Sequence, residues 1–368
     1  MTEKKYNLSL WIWVALFSVY IAVYAYRHPS YNWDMIGYVG SVEKLSGTQK
    51  DSLRVRTYED VKSSVSAEKY FELTDVKDEY RYGVSQLDAA FLQQLPFYEI
   101  RIAYLVLVKF VSNLTNTISL ATVVVSAISG ALIVWVAAWI ISDLDKDILL
   151  FLPFFLSGCG LMELATVSTP DALANLCALF LLGLSIRRPV ATSWLAPALV
   201  LVRTDYIILA ILMVLEASMR KKLRITLLSI PIATVLVFMI NGHFGNYGYL
   251  AILNLTLISG PVLFPENISI SGNIADYIAP YHRGLERLLG GMGLGLVFLA
   301  IRLFHRRGKI LFRDRYVRLA VVSIAFVLVH FLLFPAGFLR FYMFALIFVS
   351  LVVIRRLFSG QPHSTEVS

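Results

Sequence analysis

Apolar runs of about 18 or more residues recur along the chain, each long enough to cross ~30 Å of hydrocarbon as a helix. The first, LSLWIWVALFSVYIAVYAY, ends at Tyr26. Inside a bilayer every main-chain polar group must pair within its own segment, so such runs fold as helices. The 368 residues are 58% hydrophobic and only 16% charged, with a mean hydropathy of +0.69. Soluble domains are about 45–50% apolar and about 25% charged. The expectation is an all-α polytopic membrane protein of about 9 to 11 spans. It forms one domain over residues 1–358, and 359–368 read as a disordered tail. No Gly/Ser or Pro-rich linker and no internal repeat divides the chain.

The formal charge of +8 does not point to nucleic acid, because the basic residues cluster between apolar runs. They are Lys4-Lys5, Arg187-Arg188, Arg220 to Lys222 with Arg224, and Arg306, Arg307, Lys309 and Arg313. Cytoplasmic loops carry this bias. It puts both termini inside and suits a multi-pass protein of a cell inner membrane. The first run is too long for a signal-peptide core and reads as an uncleaved span over 8–26. Residues 27–97 then form an acid-rich outer loop that short amphipathic helices would fill, since long structureless loops are uncommon. Further apolar runs lie at 100–115, 117–141, 148–166 and 169–186. The stretch 191–218 reads as a hairpin of two short helices with Arg203 and Asp205 at its outer turn. Residues 222–241 cross outward, and 242–286 form a second outer loop. Residues 287–304 return, 318–334 cross out and 338–354 come back. Counting sides through the first half leaves 100–115 starting and ending outside, as a surface helix would. Cys159 and Cys177 lie in apolar runs and have neither disulfide-framework nor zinc-site spacing.

Lipid penalises ionisable groups, so those in or beside spans are functional candidates. Five places qualify. In YNWDMIGY, Asp34 stands among Tyr31, Trp33 and Tyr38. It can cap a helix in an aromatic belt, or act as a base whose pKa the rings raise. In LPFYEIRIAY, Tyr98, Arg101 and Tyr104 share a helix face. Arg101 there anchors a headgroup or binds a phosphate. In STPDALANL, Ser168 or Thr169 as N-cap, Pro170 and Asp171 account for a helix start, which also leaves Asp171 at an outer helix mouth. In VRTDYI, Arg203 and Asp205 form an ion pair or receive a charged ligand. In FPAGFLRFYMF, Arg340 and Tyr342 open the last span, where Arg340 anchors the helix or binds a phosphate bidentately. Four of these fall at the outer face under the topology the basic loops dictate, and Arg101 joins them if its helix is outer. His243, Glu266, Asp276, His282 and Arg283 of the second outer loop are further candidates. His330, alone in a span, reads as a satisfied helix-interface histidine.

The arrangement resembles the polytopic GT-C glycosyltransferases, which take sugar from a polyprenyl-phosphate donor. The resemblance lies in the acid after the first span (NWDMIGY), the end of the first outer loop (LPFYEIR), the Thr-Pro-Asp helix start (STPDALANL), the Arg-acid step (VRTDY) and FPAGFLRFY near the last spans. It is an architectural pattern over most of the chain, carried by short motifs. What it implies is inverting transfer on the extracytoplasmic face to a hydroxyl of a glycan, lipid or protein. Asp34 would be the base, with Arg340, Arg203 and Arg101 on the donor phosphate. Tyr38, Tyr98, Asp171, Asp205, Tyr342 and His282 would be substrate contacts. Two departures stand out. One Asp replaces a paired acidic motif, so no metal or other cofactor is expected, and no soluble C-terminal domain follows. Rival readings are a lipid or polysaccharide-precursor flippase, a surface-polysaccharide polymerase, ligase or acyltransferase (the last leaning on His330 or His282), and a non-enzymatic subunit.

Overall fold

The main chain of this computed structural model is described over residues 3–142, 148–219, 221–245, 247–290, 292–304 and 314–358. The tail 359–368, Arg220 and most of the basic 305–317 segment lie outside the described residues. Within them the chain is helical, without a strand, and one isolated bridge pairs Ser30 with Val167. Among the described residues four helices are long and apolar enough to cross a membrane: Leu8–Arg27, Ile118–Ile140, Arg224–Phe244 and Arg315–Leu333. A fifth arises if the pair Ile274–Leu289 and Gly293–Arg302, bent by 74°, counts as one span. The expected 9 to 11 are not reached by this measure. The apolar runs are real, but many are broken into pieces of 10–17 residues, among them Ile102–Ser112, Ile148–Gly158 and Pro189–Val202. Hydropathy registers a run's length and not the turn within it. At Gly160 the left-handed φ of 87° breaks the 148–166 run.

α1 (Glu3–Arg27) is followed by α2 (Asp34–Leu45). The first polar loop is then helix after helix: α3 (Lys50–Ser64), α4 (Ala67–Leu73), α5 (Glu79–Gln86), α6 (Asp88–Gln94) and α7 (Pro96–Glu99). These elements bury a small apolar cluster of their own, including Met35, Val39, Leu53, Val61 and Phe91. α8 (Ile102–Ser112) has 11 residues, only about 16 Å of helix and too short to cross. α9 (Ile118–Ile140) packs on α1 and on α12 (Asp171–Arg187), after the broken pair α10 (Ile148–Gly158) and α11 (Leu161–Thr166).

The polar loop is fixed to the start of α9 by one side chain. The Asp60 carboxylate accepts from the Ile118 amide at 2.7 Å, the Ser119 amide at 2.9 Å and the Ser119 hydroxyl at 2.6 Å. The first amides of a helix have no partner within it, and a carboxylate satisfies them while complementing the helix dipole.

The 191–218 stretch forms α13 (Pro189–Leu195), α14 (Leu199–Val202) and α15 (Ile207–Ser218), with the break at Arg203–Tyr206. α16 (Ser229–Phe244), α17 (Tyr249–Leu253), α18 (Ile274–Leu289), α19 (Met292–Phe304), α20 (Arg315–Leu333) and α21 (Met343–Phe358) complete the order. At one end of α15 the buried Glu216 accepts from Arg315 at 3.2 Å and Arg318 at 2.9 Å, tying α15 to α20. At the other end lie the residues that form the site.

Candidate functional site

Three local devices bring the start of α2 beside the start of α12. The Ser30 amide donates to the Thr166 carbonyl at 2.8 Å, which lays the α1–α2 connection along the approach to α12. Asp34 opens α2 and Asp171 opens α12, each where a negative charge is favoured by the helix dipole. α12 begins one residue later than expected, with Pro170 in the cap position. Thr169 still takes part, its hydroxyl donating to Asp171 Oδ2 at 2.8 Å.

Arg340, in the 3-10 turn Leu339–Phe341, joins the two acids. Its Nη2 lies 3.5 Å from Asp34 Oδ2 and its Nε 3.2 Å from Asp171 Oδ2. Asp171 pairs in turn with Arg203, and Arg203 chelates Asp205 through Nε at 3.1 Å and Nη2 at 2.9 Å. Asp205 receives His330 Nε2 at 2.8 Å, and His330 Nδ1 meets the Tyr342 hydroxyl at 2.9 Å. Since a carboxylate only accepts, Nε2 carries the proton, and a neutral ring would accept from Tyr342 at Nδ1. The result is an alternating line of charge from Asp34 to His330.

The line is most open at its Asp34 end, and Asp205 near the other end is also partly exposed, at 27%. The Asp34 and Arg340 side chains are 40% and 30% exposed, whereas those of Asp171, Arg203 and His330 are 4%, 8% and 4% exposed. Buried ions persist only when paired, so the interior members hold one another in place. Phe341 lies under both guanidinium groups, 4.4 Å from Arg203 and 5.4 Å from Arg340. Such stacking favours arginine over lysine.

Asp34 accepts from Asn32 Nδ2 at 3.2 Å and from the Tyr98 hydroxyl at 3.4 Å. Crowding by protein pushes its carboxyl above the usual carboxylate range even though part of its surface is open; Arg340 opposes the shift and Arg101 does so more weakly. Tyr98 reaches Asp34 because residue 37 is glycine. A Cβ there would stand 2.3 Å from the Tyr98 ring. Tyr38 meets Tyr98 and Tyr104 edge-on at 5.0 and 5.2 Å, forming an aromatic wall behind the carboxylate. Arg101 donates Nη1 to the Phe97 carbonyl at 2.8 Å, while its Nε is buried without a hydrogen-bond partner among the described residues.

Asp34, Arg101, Asp171, Arg203, Asp205, Arg340, Tyr38, Tyr98 and Tyr342 therefore belong to one neighbourhood. His282 does not: its side chain is 77% exposed and its partner is Glu286 at 3.6 Å. Asp276 is engaged by Ser271, Glu266 by Gln93, and Arg283 by the Leu257 carbonyl. His330 is satisfied at both nitrogens, as an interface histidine would be, but its partners belong to the charge line. Sequence reasoning gave no role to Asn175. Its amide donates to the carbonyls of Asp171 and Arg340, both at 2.7 Å, and its oxygen accepts from the Phe344 amide at 2.7 Å. A signal was present, since an amide four residues after Asp171 lies on the same helix face.

Among the described residues no three His, Cys, Asp or Glu side chains gather as a metal site. Compared with protein-family models, curated proteins and solved structures, the chain matches none.

Proposed function

We propose that the chain is a polytopic membrane glycosyltransferase of the GT-C type, moving a sugar from a polyprenyl-phosphate donor to an acceptor hydroxyl at the extracytoplasmic face. The observation that carries this reading is the Asp34–Arg340 pair, 3.5 Å apart and partly exposed, with the buried charge line behind it. A carboxylate of raised pKa suits general-base work, and a cation beside it suits a departing phosphate.

In the proposed reaction the acceptor oxygen attacks the anomeric carbon and gives its proton to an Asp34 oxygen. The bond from that carbon to the phosphate oxygen breaks, and its electron pair leaves with the phosphate. One displacement inverts the configuration. Arg340 and Arg101 would receive the phosphate charge. Arg203 is buried between Asp171 and Asp205, with 8% of its side chain exposed against 30% for Arg340, so its part is to hold those carboxylates rather than to meet the donor. A cavity of about 530 Å³ lined by apolar residues, among them Leu288, Leu296, Val297, Ile324, Val327 and Leu328, suits the isoprenoid part. Neither it nor the second cavity described below is lined by Asp34, so the sugar would be met at the open mouth of the charge line.

Acyl transfer draws less support. His330 has both nitrogens engaged and His282 stands apart. Transport would draw on the 74° break between α18 and α19. Gly290, Met292 and Gly293 at that break bear no charge for a substrate.

The test compares lipid-linked sugars and surface glycans, by mass spectrometry, in cells with and without the gene. The expected result is an accumulated lipid-linked sugar and a glycan lighter by that sugar. Two unchanged pools would refute the reading.

A further inference from the structure

A second cavity, of about 290 Å³, lies between α2, the end of α7, α8 and the end of α16. Along α2, Ser41 is seven residues beyond Asp34, which is about 10 Å of helix. One part of the lining is polar, with Ser41, Lys44, Glu99 and His243; the rest is apolar and includes Val106 and Phe244.

The charges there are organised. The Glu99 side chain is 6% exposed and pairs with Lys44 Nζ at 2.6 Å. Lys44 itself is 46% exposed, so the buried acid fixes an ammonium that still has protons to donate outward. Lys109 is fixed beside the same rim, its Nζ donating to the Leu45 carbonyl at 2.8 Å. Two lysines against one carboxylate leave a positive excess. His243 and Phe244 of the lining stand at the end of the candidate span Arg224–Phe244, and the end of a spanning helix is where headgroups would meet hydrocarbon.

We propose that this cavity holds the headgroup of an anionic phospholipid, with Lys44 and Lys109 on its phosphate and the first acyl carbons against Val106 and Phe244. Charge excess and the amphiphilic lining favour this occupant over a free sugar or a neutral lipid. The site stands apart from the sugar-transfer chemistry and does not depend on it.

The test is native mass spectrometry of the full-length, detergent-purified chain with added phosphatidylglycerol or phosphatidylcholine, and with millimolar inorganic phosphate as competitor. Phosphatidylglycerol is expected to be retained at least about fivefold over phosphatidylcholine, and Lys44→Gln and Lys109→Gln each to reduce that retention by about fivefold. Lys44→Gln leaves Glu99 buried without its partner and could fail to fold. Val106→Trp avoids this, because Val106 is 53% exposed and the ring would fill the cavity from its mouth; it should abolish the preference. Asp34→Asn should leave lipid retention intact, which separates this outcome from the fate of the transferase reading. Equal retention of the two lipids, an unaltered preference in Val106→Trp, or full displacement by inorganic phosphate would overturn the proposal.

Discussion

The Asn175 side-chain amide donates to the main-chain carbonyl of Arg340 at 2.7 Å. One neutral residue of α12 thus positions the guanidinium that faces Asp34, and its oxygen also holds the Phe344 amide at the start of the last helix. Asn175→Leu keeps the branched outline and removes all three bonds, including that to the Asp171 carbonyl. Leaving such groups unpaired costs about 1–3 kcal/mol each. A misplaced Arg340 should weaken the donor's phosphate contact, and about 1.4 kcal/mol of lost contact is about tenfold in kcat/KM. Donor titration of the purified variant checks this: the loss should fall mainly on KM. An unchanged KM with a lower melting temperature would mean that the contact is structural only.

Asp60 ties the polar loop to α9 through three hydrogen bonds. Asp60→Ala should lower stability by about 1–2 kcal/mol, as loss of a helix cap does. Thermal unfolding of the purified protein measures it. The turnover of the folded fraction should not change, since Asp60 touches no member of the charge line.

Asp34 must be ionised to accept a proton. Its carboxyl is held above the ordinary range by burial, with Arg340 pulling the other way. The acid limb of the pH–rate profile should therefore fall at a higher pH than the ~4 of a free carboxylate. Removing the opposing cation in Arg340→Gln should move that limb higher still, besides lowering the rate. A limb that moves downward in this variant would contradict the assignment of the limb to Asp34.

Much of this neighbourhood was legible because charge is scarce in an apolar chain. Asp34, Asp171, Arg203, Asp205 and Arg340 stand out against their runs, and the basic loops suggested a common level. Their pairing was not legible. The VRTDY step reads as a local ion pair, whereas Arg203 also reaches Asp171 on another helix. His330 looked isolated because its partners, Asp205 and Tyr342, come from separate segments. Asn175 was passed over because a neutral amide carries no penalty as visible as a charge. Among the described residues only four or five helices are long and apolar enough to cross, fewer than the 9 to 11 expected. Hydropathy does not register a break such as that at Gly160.

The most direct measurement is sugar transfer by purified Asp34→Asn, reconstituted with a polyprenyl-phosphate-linked sugar and an acceptor. Asparagine keeps the shape and can still hydrogen bond, but takes no proton from a hydroxyl. The account predicts a rate about 10²- to 10⁴-fold below that of the unaltered protein, with helix content and donor binding preserved. A folded Asp34→Asn protein that transfers sugar at the unaltered rate would contradict it.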